Sequence, residues 1–197
     1  MASIELVSRT QTSLTCRATG LPSNANMIRW YIGVATSDMP YQGYCSIAMD
    51  DWPCFTFTGL SPGTTYLVKI SVRAADQSAI GGAVTLSFST LPARPANWAW
   101  ESTVSKGSPI NLTAAEWNRF LDRIFAFVEY KGLTLQATAA NYYVTKGSPM
   151  IMGQFNAALA TIDAMSPPVA PPSRVLRGTT ITAADFNGLK DSLNSIV

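Results

Sequence analysis

Arg177-Gly178-Thr179-Thr180-Ile181-Thr182-Ala183-Ala184-Asp185-Phe186-Asn187 decides how the C-terminal half is built, because the chain carries it three times in variant form. The first copy is Lys106-Gly107-Ser108-Pro109-Ile110 followed by Thr113-Ala114-Ala115-Glu116-Trp117-Asn118. The second is Lys146-Gly147-Ser148-Pro149-Met150 followed by Gln154-Phe155-Asn156. A Val stands two residues before each base, at Val104, Val144 and Val175. Each copy then runs base, Gly, hydroxyl residue, apolar residue, acid or amide, aromatic, Asn. A motif recurring in this way means one local structure built three times.

The physics of the unit starts at its helix. Thr113-x-x-Glu116 fits a capping box, in which the hydroxyl takes one free backbone N–H and the carboxylate another. Thr182-x-x-Asp185 is a version with a shorter acid. Ile151 stands where the cap of the second copy belongs, so that copy departs from the pattern. Gly107, Gly147 and Gly178 let the chain turn sharply before each helix. The plainer reading of the motif is a good helix start, and the functional one is a recurring assembly module. Asn118, Asn156 and Asn187 are not favoured by helix propensity. The expectation is that each amide bonds the extended Val-x-base-Gly segment before its own helix. The competing reading is a solvated side chain.

Three apolar stripes at helical spacing follow from these starts. Trp117, Phe120, Leu121, Ile124, Phe125 and Val128 mark a helix from Ala114 to Tyr130. Phe155, Ala158, Leu159 and Ile162 mark a second over roughly residues 152–165, and Phe186, Leu189, Leu193 and Ile196 a third over 183–196. Short helices are not stable alone. Trp98, Trp100, Trp117, Phe120, Phe125, Tyr142 and Tyr143 exceed what such a bundle needs, so the surplus is expected to be hidden against other subunits. Ser166 to Ser173 reads as extended polyproline.

Residues 1–92 have a different period. Ser13 to Ala18 alternates, Met27 to Gly33 carries Trp30 as a core candidate, and Tyr44 to Met49 is a fourth strand. Phe55-Thr56-Phe57, Tyr66 to Ala74 and Val84 to Thr90 complete an expected antiparallel sandwich. Residues 93–97 are a proline-bearing linker, and 98–197 form the helical domain. The fold class is therefore mostly β plus α: a sandwich followed by a small domain of three short helices.

Of the 197 residues, 47% are apolar and 13% charged, and the net charge is +2, which gives no argument for nucleic acid or for an acidic membrane surface. No stretch is long and apolar enough to span a membrane. Met1 to Thr10 lacks a signal-peptide core, so assembly in the cytoplasm is expected. His is absent, which removes the commonest general base and neutral metal ligand. Cys16, Cys45 and Cys54 have no metal spacing; free thiols are the preferred reading and a Cys45–Cys54 disulfide the alternative. Asp50 and Asp51 point to opposite faces if extended, a poor geometry for acid–base work. No phosphate loop or nucleophile elbow occurs. The expectation is no enzyme, no metal and no cofactor. Tyr41, Tyr44 and Trp52, with Asp50 and Asp51, form a candidate contact for sugar or calcium on the 34–53 loop. The preferred alternative has the aromatics covering the sandwich and the acids solvated.

Phe57-Thr58-Gly59-Leu60-Ser61-Pro62-Gly63-Thr64-Thr65-Tyr66 resembles the E–F corner of fibronectin type III domains. The resemblance implies that Leu60 plugs the sandwich end and that the Tyr66 hydroxyl bonds back to the turn. It departs at the second strand, where the family usually carries the Trp that here sits at position 30. The three-copy unit resembles repeats in structural proteins of bacteriophage virions, especially tail-associated and fibre-like ones. That implies a structural or adhesive virion component, with other virion proteins, copies of itself and host-surface glycans as partners. A carbohydrate-binding accessory module is the alternative.

Overall fold

The computed structural model describes residues 1–47, 54–102, 104–105, 110–134, 142–148 and 150–197. The chain divides into two compact units, Met1–Ala93 and Arg94–Val197.

The first unit is an antiparallel sandwich. Its strands are β1 (Ser3–Arg9), β2 (Ser13–Thr19), β3 (Met27–Gly33), β4 (Tyr41–Ser46), β5 (Cys54–Thr58), β6 (Thr65–Arg73) and β7 (Val84–Ser89). One sheet has the order β1-β2-β5 and the other β4-β3-β6-β7. Alternation sends Leu14, Cys16 and Ala18 of β2 and Ile28, Trp30 and Ile32 of β3 into the space between the sheets. Trp30 is fully buried there, stacked on Phe55 at 6.0 Å and edge-on to Phe57 at 6.1 Å. The indole from β3 is thus received by two rings of β5, in the same cluster as Cys16 and Ala18 of β2. Burial pushes the Cys16 thiol up to about 12, with a smaller push from Cys54. All three cysteines are free, and Cys45 and Cys54 lie on strands of different sheets, with the Cys45 thiol donating to the Cys54 carbonyl.

The fourth strand differs from the expected Tyr44 to Met49. It begins at Tyr41, and residues 48–53 lie outside the described ones. Between β5 and β6 the Tyr66 hydroxyl accepts a hydrogen bond from the Ser61 amide at 2.9 Å. Leu60, half-buried against the core, donates its amide to the Thr12 carbonyl at 3.0 Å.

The second unit contains α1 (Ala114–Tyr130), α2 (Met152–Ala164) and α3 (Ala183–Ser195). Its core holds Trp117, Phe120, Tyr142, Phe155 and Phe186, with Trp98, Trp100, Phe125 and Tyr143 packed against it. The aromatics expected to need another subunit pack on this core, Trp98, Trp100, Phe125 and Tyr143 only in part. The extended segments before the helices, absent from a count of helices alone, supply the missing layer. Residues 94–97, expected as a linker, are tied to this unit. The Arg94 guanidinium donates to the Ile196 carbonyl at 2.7 Å and the Asn194 carbonyl at 2.8 Å, and lies over the Phe127 ring at 5.1 Å. It places a cation at the carbonyl end of α3, where the helix dipole is negative.

Tyr66→Phe removes the acceptor of the Ser61 N–H. Hydrogen exchange of the full chain is expected to show the sandwich amides destabilised by about 1 kcal/mol, with amides of the second unit unchanged. Equal protection in mutant and wild type would remove the tyrosine from its corner role.

Candidate functional site

The repeated residues assemble into a ring. Asn118 of α1 pairs with both backbone groups of Val144: its amide nitrogen donates to the carbonyl at 3.0 Å and its oxygen accepts from the N–H at 2.9 Å. Asn156 of α2 does the same to Val175, both bonds at 2.9 Å. Asn187 of α3 donates to the Val104 carbonyl at 2.9 Å. Each Asn thus holds the extended segment of the following copy, and the third returns to the first. The expectation that the amide meets an extended Val segment has the right chemistry and the wrong copy. Sequence proximity favours the segment before the same helix, but an Asn at the fifth position of its helix, just past the first turn, faces the neighbouring copy instead.

The aromatic one position earlier points inward. Trp117, Phe155 and Phe186 meet pairwise, with centroids 6.4 Å (Trp117–Phe155), 5.9 Å (Trp117–Phe186) and 5.6 Å (Phe155–Phe186) apart. One residue is about 100° of helix rotation, so the aromatic-Asn dipeptide serves the centre and the rim together.

The acid or amide two positions before each Asn behaves differently in each copy. Thr113 caps α1 through the Glu116 amide at 3.1 Å, but the Glu116 carboxylate does not return to Thr113. It is buried and accepts from the amides of Glu101 and Ser102 and from the Ser102 hydroxyl. Capping and solvation, the roles expected for it, are therefore not its main ones. Burial alone raises its pKa. The bonds from Ser102 and Glu101, with Arg119 nearby, outweigh that and hold the carboxyl below its usual range. Gln154 accepts from the Ile151 amide at 2.9 Å and donates to the Tyr143 carbonyl at 2.8 Å. Ile151 has no side-chain acceptor, so the amide of Gln154 takes over that end of the helix start. Thr182 and Asp185 form the full reciprocal box. Gly147 and Gly178 take φ of +85° and +86°, the left-handed region open to glycine at small cost. Gly107 lies outside the described residues.

Where the helices begin, a cavity of about 440 Å³ opens. Ile110, Met150 and Ile181, which occupy the same position in the three copies, line it, and Trp117 and Phe186 contribute to its wall. Asn194 is a residue the repeats did not reveal. It pairs with both backbone groups of Trp98, at 2.7 and 2.9 Å. The available signal was its spacing of seven from Asn187, two turns along the same helix face.

In the sandwich, a bulge brings two of the candidate aromatics together. Tyr44 pairs with Arg29, Gly43 with Trp30, and Tyr41 with Tyr31, so Gln42 is extra. Tyr41 and Tyr44, three apart, thereby share the outer face, opposite to buried Trp30. Both are exposed. Tyr41 meets Tyr31 edge-on at 5.7 Å, and the Lys69 ammonium sits 4.3 Å over the Tyr31 ring. These tyrosines belong to a sheet face and not to a loop at the sandwich end. Asp50, Asp51 and Trp52 lie outside the described residues.

No protein-family model matches the chain. No curated protein matches it. One solved structure that resembles it is the solution structure of the 6th fibronectin type III domain from human fibronectin type III domain containing protein 3, at 16% identity and a TM-score of 0.38, covering 49% of this chain and 88% of that one. At that distance the likeness carries no argument about function. The fibronectin type III-like sandwich rests on its own strand order and corner.

Two substitutions test the ring. Asn156→Asp keeps the size but removes the donor, leaving the buried Val175 carbonyl unpaired beside a carboxylate, and chemical denaturation is expected to show a loss of about 1–3 kcal/mol. An unchanged midpoint would mean that the clamp contributes nothing. Glu116 has a depressed pKa in the fold, so its contribution is fully present above the unfolded value of about 4.3 and is lost as pH falls through the folded value. Glu116→Gln should therefore be less stable than wild type at neutral pH, with the gap closing on acidification. A gap that stays constant with pH would contradict a charged clamp.

Proposed function

We propose that this chain is a non-enzymatic structural component of a bacteriophage virion, a tail, baseplate, fibre-type or head-decoration protein. One unit anchors in the particle and the other is displayed. The observation that carries the reading is what the repeated polar side chains do. Asn118, Asn156, Asn187 and Gln154 bind backbone of the ring itself, and so does buried Glu116. Residues that recur in all copies are committed to holding a framework, as in a part that must keep its shape. Their resemblance to virion repeats supplies the particle.

A host-surface contact fits the outer face of β4 and β3. Exposed aromatic rings cover the apolar faces of sugars, and Arg29 and Lys69 beside them favour an acidic glycan. The same face supports the alternative, a carbohydrate-binding accessory module outside any particle.

Mass spectrometry of purified particles, with antibody labelling in electron micrographs, tests the first reading, and absence of the chain from particles overturns it. Tyr41→Ala combined with Tyr44→Ala is expected to weaken adsorption by about tenfold, equivalent to ~1.4 kcal/mol, while particles still assemble. Glycan binding that survives both substitutions would remove that face from the contact.

A further inference from the structure

Two cavities on the surface of the second unit share a residue, Met152. The axial one, about 440 Å³, is lined by Ile110, Met150, Met152 and Ile181 with the hydroxyl residues Thr113, Ser148 and Thr179. The second, about 340 Å³, runs over Gly153, Ala157 and Ala160 of α2 and is closed by Met152, Leu159 and Arg174. Each is within the size range of pockets that take a small ligand or a side chain.

Their surroundings discriminate between occupants. Ile151 and Leu176 are exposed at 60% and 67%, and Met152, on the wall between the cavities, at 39%. Ile151 lies between Met150 and Met152 in the chain and Leu176 two residues after Arg174, so exposed apolar side chains adjoin the lining residues of both cavities. The small side chains on α2 let a main chain approach closely. Among the described residues no carboxylate lines either cavity. Lys146 and Arg177 are exposed on the turns that carry Ser148 and Thr179, and Arg174 borders the second cavity. Among the described residues none of the three has an ion-pair partner. The N-terminal ends of α1 and α2, at the axial cavity, add positive potential.

We infer that this surface docks an extended, acidic segment of a partner protein, which inserts one large apolar side chain into the axial cavity and a second into the groove on α2. The cavities supply the affinity and the unpaired cations select the charge. The inference stands on the cavities and holds whether or not the chain is a virion component.

The test uses the full chain and methyl NMR. The probes are short acidic peptides carrying one Phe and one Leu at several spacings, the same peptides with Lys replacing the acids, and toluene as a small apolar molecule. An acidic peptide should shift the methyl signals of Ile110, Met150, Met152 and Ile181 saturably. It should bind at least about tenfold tighter than its Lys counterpart. Met152→Glu, at a half-exposed position, should abolish the shifts, and Met152→Leu should restore them. Lys146→Glu with Arg177→Glu should remove the preference for acid while leaving the fold intact. Four results each overturn the inference. One is no shift with any acidic peptide at millimolar concentration. Another is equal binding of the Lys peptides. A third is shifts with toluene alone, which would make the axial cavity a small-molecule site. The fourth is methyl shifts that follow the concentration of the chain itself, which would make a second copy the occupant.

Discussion

The second unit depends on one interaction: an Asn amide pairing with the N–H and C=O of a single residue in an extended segment. Such a segment has no sheet to join, and its backbone groups are otherwise left without partners in a buried place, at a cost of a few kcal/mol each. A carboxamide carries a donor and an acceptor in the arrangement of a peptide group, so one side chain replaces one rung of a ladder. Asn118 and Asn156 do this for Val144 and Val175, and Asn194 for Trp98. Asn reaches with one fewer rotatable bond than Gln, and so loses less entropy when fixed. Because Asn187 returns to the segment of the first copy, each helix is positioned by two neighbours. Helices of 13 to 17 residues that are marginal alone become parts of one closed structure.

The two units solve the same problem with different means. In the sandwich, main chain pairs with main chain, and strand alternation alone decides which side is buried. Its core is filled from both sheets, with Trp30 of one against Phe55 and Phe57 of the other. In the ring, helices supply the core and side chains supply the rungs. The aromatic-Asn dipeptide does both jobs, which explains why it recurs while the caps around it vary from Thr113 to Ile151 to Thr182.

How far this was legible follows from range. Period-two alternation, the corner at Tyr66 and the helix stripes are local patterns, and they located the elements. The partner of each Asn was legible in kind, an extended Val segment, but not in identity, because closure of a ring is a contact across as many as 83 residues. The aromatics looked surplus to three helices because the extended segments at residues 97–102 and 142–145, which also carry and cover them, have no period of their own. Glu116 read as a cap because its spacing from Thr113 is right; nothing local says that Ser102 offers better donors. The fourth strand was read as starting at Tyr44, and Tyr41 as loop, because a bulge at Gln42 leaves no trace in the period.

The ring is closed in its connections, but the side chains that make them differ from copy to copy, and side-chain length is one reason. Glu116 is long enough to reach the first segment at Ser102, and Gln154 the second at Tyr143. Asp185 is one methylene shorter and closes only on its own cap at Thr182. The first segment gains a further bond pair at Trp98, from Asn194. The third gains one at Val169, six residues before Val175 as Trp98 is six before Val104: the Val169 N–H donates to the Ser195 hydroxyl and its carbonyl accepts from the Ser192 hydroxyl. Two serines on α3 thus do at the third segment what the single carboxamide of Asn194 does at the first, and the ring keeps a backbone tie where its acid is too short to supply one.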